Sequence, residues 1–250
     1  MADAAARETL RLFRTGLRVE NKDARGFDPV TEADIAAERA MRAVLAELRP
    51  EDGILGEEEG DVEGRSGLTW VLDPIDGTRA FMAGAPSWGT LIACGPTGGV
   101  PVIGIVDQPH IGERFVGSPD GAFLEGRFQG TLRTRRTDRL EDAVLFTTMP
   151  EIGTIAERDA FREVAGRVRL TRYGLDCYAY ALVAMGQADL VIEAGLKPFD
   201  IQAPLALVEA AGGIVTDWTG RPAQGGGRVI AAGCPQVHRA ALEYLSKTAA

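Results

Sequence analysis

Histidine is almost missing from this chain, with His110 and His238 the only two among 250 residues. A histidine-rich metal centre therefore cannot be built, and neither histidine sits near a serine or cysteine that would complete a hydrolytic dyad. Cysteine is scarce as well: Cys94, Cys177 and Cys234 are widely spaced. An odd, scattered set excludes a disulfide framework and suits a reducing, cytoplasmic setting in which the thiols are small buried apolar groups. No apolar run approaches the length of a membrane helix. The opening MADAAARETLRLFRTGL carries arginines where a secretion signal needs an apolar stretch, so no targeting segment is expected. Positive charge is in deficit, 27 Lys and Arg against 36 Asp and Glu for a net −9, which makes nucleic acid a poor partner.

What remains is an ordinary globular composition, 45% hydrophobic with 31 Gly and 13 Pro. The length suits one large unit or two smaller halves. Residues 4–19 and 31–48 read as helices, the second with Thr31 as N-cap and Asp34 as its capping-box acid, ending at Pro50 and Gly53. Apolar, β-branched runs at 69–72, 90–94 and 102–106 predict strands, and SPDGAF (118–123) predicts a turn within a hairpin. The basic stretch RTRRTDR (133–139) is a candidate hinge, or a solvated edge strand, in preference to a nucleic-acid patch. Beyond it, strands at 144–147, 189–192, 214–216 and 228–232 alternate with helices at 155–168, 176–185, 201–211 and 235–246. Helices followed by strands make residues 1–140 an α+β half. The alternation makes 141–250 a layered α/β half, the two together forming one unit.

Acids recur where these elements end. Gly56-Glu57-Glu58-Glu59-Gly60 follows a short apolar run, and Asp34 lies in the first turn of its helix. The stretch Trp70-Val71-Leu72-Asp73-Pro74-Ile75-Asp76-Gly77-Thr78 takes a strand into a turn, and Pro198-Phe199-Asp200 opens a helix. Asp73 and Asp76 are the most informative pair. The turn through Pro74 can fold both carboxylates and the Ile75 carbonyl towards one point, because a residue before proline is held extended. All are hard oxygen donors, suited to Mg²⁺ or Mn²⁺ and not to Zn²⁺. Gly77 allows close approach of a ligand to the backbone, and a helix starting at Thr78 favours an anion. Taken singly, each motif has a plain structural reading as a cap, a turn or a solvated charge run.

The combination WVLDPIDGTRAF, GEEEG upstream, KPFDIQAPLALVEAAGG downstream and FDPVTEADIAAERAM at 27–41 resembles the inositol monophosphatase family over nearly the whole chain. The resemblance implies an α/β (α+β layered) fold, an αβαβα sandwich with the metal site between the two halves. It implies a metal-dependent phosphatase using two or three Mg²⁺, with Mn²⁺ as substitute, and a homodimer. Carried over by position, Glu57, Asp73 and the Ile75 carbonyl would hold the first cation, and Asp73, Asp76 and Asp200 the second. Gly77 and Thr78 amides would receive the phosphate. Thr78 with Asp34, beside Glu57, would activate water for direct hydrolysis without a phosphoenzyme. Glu193 would meet the leaving group.

DGTRAF (76–81), GIVDQP (104–109), GERFVG (112–117), TRYGLDCYAYALVAMGQADLVIEAGLKPFD (171–200) and GGIVTDWTG (212–220) look like the family's histidinol-phosphatase branch. Asp176, in the turn opened by Gly174, stands where inositol phosphatases place a small residue. A carboxylate there, near Glu193, would pair with a cationic leaving group and gain nothing from inositol. Asp176 could also cap the helix that follows. Arg79 and Arg172 would reach the phosphate or brace the acids. Substrate contacts expected on this resemblance are thus Ile75, Asp76, Gly77, Thr78, Arg172, Gly174, Asp176, Glu193 and Asp200. A regulatory binding protein on the same fold is the alternative of a different class.

Overall fold

Strand-forming runs in the first half pair into an eight-stranded sheet, in the spatial order Gly130–Thr131, Gly121–Gly126, Glu113–Ser118, Ile103–Gln108, Gly89–Pro96, Leu68–Asp76, Gly53–Gly56 and Asp61–Val62. Its neighbours are antiparallel except Gly53–Gly56 with Leu68–Asp76. A second sheet of five strands runs Leu170–Tyr173, Val144–Thr147, Leu190–Leu196, Gly227–Ala232, Ile214–Asp217, the first three parallel. The computed structural model describes residues 1–16, 19–21 and 29–249. Its helices are α1 (Ala2–Leu12), α2 (Glu32–Leu48), α3 (Thr78–Met82), α4 (Ile155–Ala165), α5 (Cys177–Ala184), α6 (Pro198–Ala210) and α7 (Pro235–Leu245). Among the described residues no helix is long and apolar enough to cross a membrane.

Period-two alternation along the strands sorts the chain into layers. Leu72 and Ile92 face α1 and α2, packing with Ala5, Ala37 and Met41. Their neighbours Val71, Leu91 and Ala93 face the opposite way, into a core shared with α5, α6 and with Phe146, Val191 and Ala231 of the second sheet. On the far side of that sheet, Leu145, Leu190 and Ile230 pack on Phe161 of α4 and Val237 of α7. The result is the expected αβαβα sandwich. The middle helix α6 is apolar on nearly every side because it has a sheet above and below. It also lies unusually close to the first sheet: a Cβ on Gly104 would meet the Ala203 carbonyl oxygen at 2.2 Å, and one on Gly117 the Leu207 Cα at 2.5 Å. Glycine at those two positions sets the depth of the helix that carries Asp200.

Most expected elements are present, with informative differences. The first helix stops at Leu12, where Phe13 turns extended and buries its ring 5.1 Å from Phe81 and 5.3 Å from Trp88. Of the remainder read as helical, Val19 instead begins a short strand, Val19–Asn21, paired with Pro29–Thr31, while Leu17 and Arg18 lie outside the described residues, as do Phe27 and Asp28 of the first motif. Residues 133–139 form no edge strand. Their polar side chains bind downward instead: Arg135 pairs with buried Asp189, and the Thr137 hydroxyl donates to the same carboxylate at 2.5 Å. The hairpin turn at Pro119-Asp120 is as expected, joining Glu113–Ser118 to Gly121–Gly126.

Candidate active site

Pro74 cannot donate to a sheet ladder, and the pairing of Leu68–Asp76 with Gly89–Pro96 shifts register between Asp73 and Asp76. The Thr90 hydroxyl takes up the freed Pro74 carbonyl at 2.8 Å. This bulge turns the strand end so that Asp73 and Asp76 meet Asp200, the third residue of α6. One carboxylate oxygen from each of the three lies within 4.8 Å of the others. Glu57 enters from the neighbouring parallel strand, its N–H donating to the Leu72 carbonyl at 3.2 Å and its carboxyl within hydrogen-bonding reach of Asp73.

Burial, then the charges of Glu57, Asp76 and Asp200, push the Asp73 carboxyl well above its ordinary range. Burial and the charges of Asp176 and Asp200 do the same to Asp76, against the opposing hydrogen bond from Cys177. Asp73 Oδ1 is buried without a hydrogen-bond partner. Crowded acids with an orphaned oxygen are unstable alone and fit a divalent cation, all donors being oxygen. Asp200 Oδ2 accepts the Lys197 N–H at 2.6 Å, so this residue is a local cap as well as a member of the cluster. The Ile75 carbonyl accepts the Thr78 hydroxyl at 3.1 Å.

Asp34 performs the capping-box role read from the sequence, accepting the Thr31 N–H at 2.8 Å and hydroxyl at 2.6 Å. Its other oxygen is buried and unpartnered. Burial raises this carboxyl from 3.8 to about 6, outweighing the Thr31 bonds. Gly77 sits at φ +82°, and a Cβ there would fall 2.9 Å from the Asp176 carboxyl. The helix it opens, α3, has only five residues, so its dipole is short and the anion site expected there would depend on local N–H groups.

Asp176 occupies the N-cap position of α5 but its side chain caps nothing. The cap comes from across the molecule, Asp76 Oδ2 accepting the Cys177 N–H at 2.6 Å. Gly174, Leu175 and Asp176 all take positive φ, of 84°, 83° and 46°. Two non-glycine residues in that region hold strain of the kind that gathers at functional sites. Burial lifts the Asp176 carboxyl to about 6, with a Ser87 hydrogen bond and the Arg79 charge opposing. Glu193 is buried and rises to about 7, through burial, while Thr148 donates from its N–H at 2.7 Å and its hydroxyl at 2.9 Å and Thr147 donates at 3.3 Å. Asp176 is among the charges acting on it.

Arg79 reaches across to the Met149 sulfur at 3.6 Å. The Arg172 side chain is exposed on its strand and makes no hydrogen bond or ion pair among the described residues, so it braces none of these acids. Tyr178 packs, its hydroxyl donating to Glu113 at 2.7 Å. Thr147, Thr148 and Ser87 escaped the sequence reading; only the Thr-Thr pair at the end of a strand hinted at them.

The geometry defines a tight cluster of carboxylates where the first sheet meets α6, a donor set suited to a metal-dependent phosphatase. The family model "Inositol monophosphatase family" matches residues 1–249, and the chain belongs to that family. It is 40% identical over 260 residues to the bifunctional phosphatase IMPL2, chloroplastic, of Arabidopsis thaliana, covering 98% of this chain and 72% of that one. With the histidinol-phosphatase of Streptomyces coelicolor it shares 36% identity over 99% of this chain and 94% of the other. A solved inositol monophosphatase from Zymomonas mobilis superposes with a TM-score of 0.86 at 42% identity, covering 98% and 94%.

Proposed function

We propose that this phosphatase is a Mg²⁺-dependent histidinol-phosphatase, converting L-histidinol phosphate and water to L-histidinol and phosphate late in histidine biosynthesis. Its halves, 1–140 and 141–250, act as one unit, as a cytoplasmic homodimer. The observation that carries the reading is the position of Asp176: its carboxyl lies against Gly77 and within electrostatic reach of Asp76 and Glu193.

Glu57, Asp73, the Ile75 carbonyl, Asp76 and Asp200 would hold the cations. Divalent ions bound there would neutralise the phosphate and lower the pKa of water. The residues of the chain do the rest. Gly77 presents its N–H from a left-handed turn where a Cβ would collide with the Asp176 carboxyl. Thr78 and Asp34 orient and deprotonate the attacking water, Asp34 being suited by a pKa near 6 that leaves it a proton acceptor at neutrality. Asp176 and Glu193 receive the ammonium and imidazole of the leaving alcohol, regaining the charge that burial disfavours once a cation lies between them. Thr147 and Thr148 hold Glu193 in place for that contact.

A second reading, an inositol-1-phosphate or broad sugar-phosphate phosphatase, is favoured by the identity to the Zymomonas mobilis structure. Phosphate release from histidinol phosphate and inositol phosphate, with Mg²⁺ and with EDTA, separates the two. Histidinol phosphate is the better substrate on our reading, and Asp176→Asn loses roughly 10–100-fold in kcat/KM towards it alone, as expected for a charge-assisted contact. Equal loss on both substrates, or none, supports the second reading.

A further inference from the structure

The loop GEEEG presents three consecutive acids, yet the group that grips its backbone is another acid. Glu38, on α2, is fully buried. Its Oε2 accepts the Glu58 N–H at 2.8 Å and its Oε1 the Glu59 N–H at 3.0 Å. Arg42, one turn further along α2, donates to Glu38 Oε1 at 2.8 Å and to the Gly60 carbonyl at 2.5 Å. The loop is thus tied to one helix from Glu58 to Gly60, while the Glu57 N–H is held by the sheet through the Leu72 carbonyl. Burying a carboxylate beside three others is costly by charge alone, so the arrangement persists because its hydrogen bonds and Arg42 offset that cost.

Gly56 reports the same clamp from the other side. A Cβ there would lie 2.3 Å from both Glu38 Oε1 and Arg42 Nη2, so the Glu38–Arg42 pair occupies the space that any side chain would need. Asp34 and Glu38 are four residues apart on α2 and share a face. A single rigid helix therefore carries the acid assigned to water activation and the clamp on the loop bearing Glu57.

We propose that Glu38, completed by Arg42, is a positioning residue that holds the 57–60 loop so that the Glu57 carboxyl stays beside Asp73 as a cation ligand. The inference rests on the reading of Glu57 as a ligand. It assigns no contact between Glu38 and the ion or the substrate.

The test is a Mn²⁺ titration of the substrate-free protein, with free Mn²⁺ read by electron paramagnetic resonance, on the wild type, Glu57→Gln, Glu38→Ala, Glu38→Gln and Gly56→Ala. Glu38→Ala and Gly56→Ala weaken binding about 10–100-fold, the range seen when groups that orient a ligand are lost. Glu38→Gln, which keeps one carbonyl acceptor, falls between these and the wild type. At saturating Mg²⁺, KM for the phosphate ester moves less than about threefold while the Mg²⁺ concentration for half-activation rises by the same factor as the Mn²⁺ constant. Wild-type Mn²⁺ affinity in folded Glu38→Ala overturns the proposal. Should that variant not fold, wild-type affinity in Gly56→Ala overturns it equally. Failure of the phosphatase reading is a separate result, in which the wild type itself binds no Mn²⁺.

Discussion

Asp76 and Cys177 stand 101 positions apart in the chain and are joined by a 2.6 Å hydrogen bond, the Cys177 N–H donating to Asp76 Oδ2. The bond satisfies the first amide of α5, a donor that every helix must place somewhere. It also ties a member of the acid cluster to the turn that presents Asp176. On the proposed function, cation binding and recognition of the leaving group would therefore be adjacent, mechanically linked tasks.

Replacing Asp76 or Asp200 by Asn keeps an oxygen for the Cys177 and Lys197 amides while removing a charge from the cluster. Phosphatase kcat/KM falls more than about a hundredfold, beyond the loss typical of groups that only orient a ligand. The melting temperature of the cation-free protein is unchanged or higher, since mutual repulsion has been relieved. Substantial activity in Asp200→Asn at low Mg²⁺ removes Asp200 from the ligand set.

Gly77→Ala places a methyl group 2.9 Å from the Asp176 carboxyl at a backbone φ of +82°. The left-handed conformation alone costs about 1–2 kcal/mol. Denaturant unfolding should register at least that loss, and inorganic phosphate should bind weakly or not at all in the presence of Mg²⁺.

Acidification should stabilise the cation-free protein. Asp34 rises from 3.8 to about 6 on folding and Glu193 from 4.5 to about 7. Between the unfolded and folded values the folded state holds more protons, so stability falls as pH climbs through that window. Each group contributes up to roughly 3 kcal/mol, less where water or neighbours relax the site. With EDTA present, the melting temperature rises as pH drops from about 8 to about 5.5, and Mg²⁺ raises it more at the alkaline end. A melting temperature that falls with acid over that range contradicts the shifts.

Local chemistry was legible where it is local. Thr31 and Asp34 announce the start of α2 through side chains three residues apart, and the structure places both bonds as expected. Strand 144–147 was read to the residue because its apolar run is short and cleanly bordered. Helix α6 begins three residues earlier than its apolar period suggests, since Pro198 serves as a first-turn residue and not as a break. Distance defeats such reading. Nothing near Glu193 in sequence reveals that Thr147 and Thr148 donate to it, and nothing near Asp176 reveals that Asp76 takes over its capping duty. Asp73 and Asp76 were legible as a cation-binding pair from the turn through Pro74, and the resemblance joined Glu57 and Asp200 to them; the convergence of the acids at one point is a property of the bulge and of the depth of α6.

That depth has a consequence for biogenesis. Since α6 rests on Gly104 and Gly117 and is roofed by the second sheet, a ribosome-bound chain that has released only its N-terminal portion carries Asp73 and Asp76 on a sheet whose inner face is bare. A chain cut short before α6 therefore lacks Asp200 and leaves the apolar inner face of the first sheet uncovered, a species expected on physical grounds to be prone to aggregation.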